Sequence, residues 1–518
     1  MEDHRARLFL DPHHVVGRVD PRLYGSFVEH MGRCVYDGIY EPSHPGADAQ
    51  GFRSDVLHLV RELDVPIVRY PGGNFVSGYR WEDGVGPAGE RPSRLDLAWR
   101  STETNQFGLH EFANWCRTVG TDMMLAVNLG TRGVDAARAL VEYANHPRGT
   151  AWSDLRIGHG APDPFGVRTW CLGNEVDGPW QIGHKTADEY ARLAVETAKA
   201  MKWVDPSIEL VACGSSGPSM PTFPDWDRIV LEQTYDHVEY ISVHRYLNRK
   251  AGLGDYLASG LHTDAHIEAV IATCDHVRAR KRSSKTLHLA FDEWNVTPTR
   301  HEGPGKEEPE AWPVAPPIAE GTYDVVDAVA FGGMMLSLLR HADRVRIGCL
   351  AQLVNVLGPV KTRTGGAAWP ETIYHPYLHG SRWGRGTVLD VVVDSPTTPV
   401  DGLGDVPTLD AVAVRADDGT LTVFAINRAV DTELALTVDL RAFAAAGGGG
   451  AAGAGGGAVE VVESLTMYDA DHQAYNSPEE PHRVTPRALA TQVENSAVTA
   501  RLAPVSWNVL RCRVRTEQ

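Results

Sequence analysis

Val167-Arg168-Thr169-Trp170-Cys171-Leu172 is a short apolar run, Gly173-Asn174-Glu175 turns polar directly behind it, and from Thr186 the chain takes up a helical period. Thr186 and Glu189 stand at capping-box spacing, and Tyr190, Leu193, Ala194 and Thr197 then share one helix face. The unit is strand, polar loop, helix, and it recurs on both sides. Seven further runs of strand character occupy 23–27, 66–70, 123–127, 208–212, 240–243, 287–291 and 347–351. Between them Val56, Leu59, Val60 and Leu63 fall at i, i+3, i+4, i+7, as do Phe112, Trp115, Cys116 and Val119, and Ile267, Val270, Ile271 and Cys274. Eight strands alternating with helices predict an α/β fold, a (β/α)8 TIM barrel with long loops, over 20–384.

Behind residue 385 the helical period stops and strands near 388–393, 411–414, 421–426 and 505–514 follow one another with turn residues between. That pattern predicts an all-β sandwich of jelly-roll type over 385–518. The opening residues 1–19 carry two strand-like runs, 7–10 and 15–19, expected to join that sandwich. The Ala/Gly tract 444–458 cannot bury enough surface to hold one conformation and reads as a flexible surface loop.

The chain has 518 residues, 67 acidic and 49 basic, with a formal net charge of −18. A negative surface opposes nucleic acid and anionic lipid alike. No stretch approaches the ~20 apolar residues of a membrane span, and the first residues lack the apolar core of a signal peptide. A cytoplasmic location is therefore expected. The seven cysteines are scattered with no C-x-x-C pair, which suits buried thiols better than disulfides or a zinc cage. No cofactor or metal is expected: Gly84-Val85-Gly86-Pro87-Ala88-Gly89 matches a dinucleotide fingerprint only formally, since no strand precedes it, and His110-Glu111 lacks a histidine four residues on.

Residues just past the C-terminal ends of barrel strands line one mouth. This rule selects Glu175, behind strand four, and Glu293, behind strand seven, which are expected to face each other from opposite sides of the ring. Two such carboxyl groups about 5 to 5.5 Å apart make a retaining glycosidase, one attacking the anomeric carbon and the other protonating the leaving oxygen. Arg69 at the end of strand two is placed either to keep a nucleophilic carboxylate ionised or to form a structural ion pair. Glu29, Asn74, His244, Tyr246 and Gln352 stand at other strand ends, and Asn174 precedes Glu175. Together they form a ring of donors and acceptors for a polyhydroxylated ligand, with Tyr246 able to orient the nucleophile and Trp99, Trp180, Trp294 and Trp312 available to stack on sugar faces. Asn295 adds a further polar group. Asn295-Val296-Thr297 formally matches a glycosylation site but is expected in the loop beside the active site.

At these residues the sequence resembles the α-L-arabinofuranosidases of glycoside hydrolase family 51. The resemblance rests on Arg69-Tyr70-Pro71-Gly72-Gly73-Asn74-Phe75 continuing to Trp81-Glu82-Asp83-Gly84-Val85-Gly86-Pro87, on Trp170-Cys171-Leu172-Gly173-Asn174-Glu175, on His244-Arg245-Tyr246 and on Asp292-Glu293-Trp294-Asn295-Val296. It implies Glu175 as acid/base and Glu293 as nucleophile, with Glu29, Asn74, Asn174, Tyr246 and Gln352 against the arabinose ring. It also implies a homohexamer, no metal, and exo-acting release of terminal α-L-arabinofuranosyl groups from arabino-oligosaccharides or arabinoxylan fragments. Three other readings compete: a related barrel that cleaves β-linked glucan or xylan, a non-catalytic sugar-binding barrel, and a metal-dependent sugar isomerase.

Overall fold

The structure is a computed structural model, and it describes residues 4–298, 300–301, 312–446 and 458–515. Strand β1 (Arg5–Arg18) comes first. The barrel strands follow as β2 (Gly25–Phe27), β3 (Ile67–Tyr70), β4 (Asp122–Ala126), β5 (Thr169–Leu172), β6 (Glu209–Ala212), β7 (Tyr240–Leu247), β8 (His288–Val296) and β9 (Val345–Ala351), and they close in the parallel order β8-β9-β2-β3-β4-β5-β6-β7. All eight coincide with the runs read from the sequence. Their lumen is packed with Phe27, Ile67, Met124, Ala126, Cys171, Val211, Ala290, Ile347 and Cys349, so the barrel is a filled core rather than a pore.

The outer helices are α1 (Ser54–Leu63), α2 (Leu109–Val119), α3 (Val134–Asn145), α4 (Ala187–Val204), α5 (Asp225–Thr234), α6 (Ser259–Lys281), α7 (Val325–Arg340) and α8 (Tyr374–Trp383). Helix α4 opens on the expected capping box: Thr186 Oγ1 accepts from the Glu189 amide, and Glu189 Oε2 accepts from the Thr186 amide at 2.9 Å. Helix α7 is buried on every face from Val325 to Leu339, because it lies between the barrel and the C-terminal sheet. The fit is tight: a Cβ on Gly332 would stand 2.7 Å from the Trp507 ring.

The C-terminal strands are β10 (Thr387–Asp394), β11 (Leu409–Arg415), β12 (Leu421–Asn427), β13 (Leu434–Asp439), β14 (Ala458–Met467), β15 (Arg487–Ala488), β16 (Thr491–Glu494), β17 (Ala497–Leu502) and β18 (Ser506–Arg515). With β1 they form one ladder, β15-β14-β18-β12-β11-β10-β1-β13-β17-β16, folded into a sandwich over a second core that draws on Leu8, Leu389, Val423, Leu436, Val498 and Leu510. The two N-terminal runs are a single strand. Its register shifts between Leu10 and Val15, where Asp11, Pro12 and two histidines interrupt the pairing, so the polar break is an irregularity within β1 and not a chain reversal. Of the tract 444–458, residues 447–457 lie outside the described residues. Arg441–Ala446 is a short helix, so the tract's first residues continue regular structure. All seven cysteines are buried and unpaired.

Candidate active site

The constellation starts at the end of β5. Gly173 takes φ +92°, open to glycine at no steric cost, and Glu175 takes φ +43°, which a side chain enters only with strain. This twisted exit aims Asn174 and Glu175 into the mouth. Glu175 Oε1 lies 3.0 Å from His244 Nδ1, and Oε2 accepts the Trp180 indole N–H at 3.0 Å. The Glu175 side chain is 13% exposed. Burial, and the negative charge of Glu293, push its carboxyl above the ordinary range, while the His244 and Trp180 donors pull the other way and lose.

Glu293 is presented differently, from inside a strand. Between Ala290 and Glu293, β8 advances three residues while β7 advances only two, from Ser242 to His244. The extra residue is a β-bulge, and it breaks the in-out alternation so that Asp292 and Glu293 both reach the polar cluster. Glu293 Oε1 accepts from Arg69 at 2.6 Å and Oε2 from the Tyr246 hydroxyl at 3.1 Å. The backbone must come close here. A Cβ on Gly73 would stand 2.9 Å from Glu293 Oε1, so any side chain at this second glycine of Pro71-Gly72-Gly73-Asn74 would push that carboxylate aside.

Arg69 joins several of these groups. It contacts Glu293, donates to Asn174 Oδ1 at 2.7 Å, sets its Nε 3.3 Å from Asp292 Oδ2 and lies over the Phe27 ring. Asp292 also accepts from Ser242 at 2.5 Å. Burial disfavours its charge, but Arg69 and His244 outweigh that and hold its carboxyl at about 2. For His244 the balance has the same form: burial works against charge, yet Glu293, Asp292 and Glu175 hold the imidazole well above its ordinary value.

On the far side, Glu29 Oε1 accepts from the Phe75 amide and the Trp99 indole, each at 3.0 Å, and Oε2 from Gln352 at 3.2 Å. Burial, helped by Glu293, pushes the Glu29 carboxyl up to about 8. Asn174 donates to Asn74 Oδ1 at 3.3 Å. Thus Glu29, Arg69, Asn74, Trp99, Asn174, Glu175, Trp180, His244, Tyr246, Glu293 and Gln352 belong to one connected cluster.

Three expectations need correction. Strands four and seven are not diametrically opposed, since only β6 and β7 separate β5 from β8; the two glutamates meet because both lean toward His244 on β7. Trp294 is 1% exposed and stacks on Phe331 of α7 at 4.8 Å, because the residue after the bulge points out of the lumen into the helix layer, so it offers no face to a sugar. Asn295 is fully buried, donating to the Ala351 and Leu357 carbonyls, and thus ties β8 to the end of β9 and the loop behind it instead of holding a ligand or a glycan. Trp312 is half-buried with its carbonyl bonded to Thr102 Oγ1, and of the loop 297–320 around it residues 299 and 302–311 lie outside the described residues.

Asp292 and Gly73 were not singled out from the sequence. The bulge that recruits Asp292 has no one-dimensional signature, whereas the double glycine after β3 did carry a signal. One carboxylate oxygen of Glu175, one of Glu293 and a ring nitrogen of His244 lie within 4.8 Å of one another.

Two family models match the chain, the α-L-arabinofuranosidase 1 domain over residues 59–259 and the α-L-arabinofuranosidase C-terminal domain over 292–506. The chain is 52% identical to the intracellular exo-α-(1→5)-L-arabinofuranosidase 1 of Bacillus subtilis (strain 168), covering 98% of this chain and 99% of that one. It is 47% identical to an exo-α-(1→6)-L-arabinofuranosidase of Bifidobacterium longum, covering 98% and 97%. A solved family 51 α-L-arabinofuranosidase from Bifidobacterium longum superposes with a TM-score of 0.92 at 41% identity, over 98% of this chain and 99% of the other.

Proposed function

Because the chain belongs to the α-L-arabinofuranosidases of glycoside hydrolase family 51, we propose that it releases terminal α-L-arabinofuranosyl groups by double displacement, with Glu293 as nucleophile and Glu175 as acid/base. It is an exo-acting glycoside hydrolase. The observation that carries the mechanism is the spacing of the two glutamates, one oxygen of each within 4.8 Å of the other. Retaining enzymes hold their carboxyl groups about 5 to 5.5 Å apart, whereas inverting enzymes leave about 6.5 to 9.5 Å for a water.

Glu293, oriented by Tyr246 and Arg69, attacks the anomeric carbon while Glu175, kept protonated by its burial, gives its proton to the departing oxygen. Glu175 then takes a proton from the water that cleaves the sugar ester on Glu293. The protonated His244 between the two carboxylates balances charge in both steps. Glu29, Asn74, Asn174 and Gln352 are suited to the ring hydroxyls, and the exposed Trp180 to the leaving group.

The substrate favoured is a short α-(1→5)-linked arabino-oligosaccharide or an arabinoxylan fragment, handled inside the cell by a homohexamer, the linkage and location following the Bacillus relative. Disaccharides of (1→5) and (1→6) linkage compared at equal concentration decide the linkage, and light scattering decides the assembly. The mechanism is tested by trapping the enzyme with a slow arabinofuranoside and sequencing the labelled peptide by mass spectrometry. A label on Glu293 is expected; a label elsewhere, or none despite turnover, overturns the assignment.

A further inference from the structure

The hairpin Arg94–Asp96 and Ser101–Glu103 leans on the cluster through one side chain, Trp99, in its tip. Leu95 and Leu97 are exposed, and Asp96 between them is turned inward and buried. Asp96 Oδ1 accepts from the Ala98 amide at 3.0 Å, and Oδ2 accepts from the Trp99 amide and the Ser101 hydroxyl, each at 3.2 Å. None of these partners is a cation. A buried carboxylate without one is costly, and here burial and the neighbouring Glu103 push it up to about 6. Three donors converging on one group nevertheless call for a group that only accepts; an amide in its place would set an N–H against an N–H.

What Asp96 holds is the main chain under Trp99, whose indole N–H closes Glu29 Oε1 together with the Phe75 amide. With Oε1 doubly occupied, Glu29 can turn only Oε2 toward a ligand. We infer that Asp96 is a positioning residue for sugar recognition, locking the hairpin tip so that Trp99 fixes the orientation of Glu29. The inference rests on the reading of Glu29 as a sugar contact.

The test is a double-mutant cycle on hydrolysis of 4-nitrophenyl α-L-arabinofuranoside. Asp96→Asn is expected to raise KM about tenfold with kcat within about threefold, the signature of lost binding common to ground and transition states. Trp99→Phe, which keeps the ring and removes the N–H, is expected to raise KM as well. In the Trp99→Phe background Asp96→Asn should add nothing, because one path serves both. Ser101→Ala, a milder change, should raise KM about twofold and also fall silent in that background, which keeps the test open if Asp96→Asn folds poorly. An unchanged KM in Asp96→Asn, or fully additive effects, overturns the inference while leaving the function intact. An inactive wild type overturns both.

Discussion

The Nδ1 nitrogen of His244 stands 3.0 Å from Glu175 Oε1 and 3.6 Å from Glu293 Oε2. One imidazole therefore lies against both carboxylates. Burial alone would discharge it, and the surrounding acids reverse that. A histidine whose folded value lies above its unfolded value of about 6.5 adds stability that is complete below that pH and fades as pH rises through the folded value. His244→Gln is therefore expected to cost most in acid, about 3 kcal/mol, with the gap to wild type narrowing in alkali. Melting curves at pH 6 and pH 9.5 measure it, and an equal gap at both would take charge out of the argument.

Glu293→Ala is expected to lose at least about 10⁴-fold in turnover with an unchanged far-ultraviolet spectrum, since no other group in the cluster is placed to attack. Glu175→Ala should lose far more on natural disaccharides than on aryl arabinofuranosides with good leaving groups, which need no proton. Equal losses on the two substrate types would count against the acid role.

Trp180→Phe removes the N–H that Glu175 Oε2 accepts while keeping an apolar ring. That donor favours the ionised form of a carboxyl that burial otherwise raises, so its loss should let Glu175 hold its proton to higher pH. The alkaline limb of kcat is expected to move up by a few tenths of a pH unit to about one, a modest shift because the indole is half exposed. A downward move would contradict the geometry.

Arg156 is fully buried and, among the described residues, donates only to carbonyl oxygens, those of Tyr143, His146, Pro147, Ala161 and Pro162. Lysine cannot reproduce that fork. Arg156→Lys should destabilise by about 3 kcal/mol with kcat/KM unchanged below the melting range, read by denaturant unfolding and steady-state rates. A loss of activity without a loss of stability would tie the short helix Ala151–Gly158, which carries Arg156, to catalysis.

The barrel was legible because each strand is a short apolar run and most of the outer helices, such as α1, α2 and α4, keep their period, so local pattern and global fold agree. The same rule found Glu175, which follows its strand directly. It half found Glu293: the position was right, but a bulge inside β8, invisible in a string of letters, decides that Asp292 and Glu293 face in and Trp294 faces out. Helix α7 shows the limit from another side. Val325 to Leu339 has no polar face to give a period, because both of its surfaces are covered by parts of the chain far away in sequence. Asp96 was silent for a related reason, its three bonds being set by the tip of a hairpin far along the connection behind β3, and not directly at a strand end.

Strand β1 pairs in parallel with β13 on one side and antiparallel with β10 on the other. Strand β1 therefore has no neighbours in its sheet until residues near 387–394 and 434–439 have been made. During synthesis the barrel can assemble while β1 waits, unpaired and carrying Leu8, Phe9, Leu10, Val15 and Val16. Removing it would leave two open strand edges in the finished protein, so a deletion of β1 that spares every residue around Glu175 and Glu293 should still yield a chain prone to aggregate.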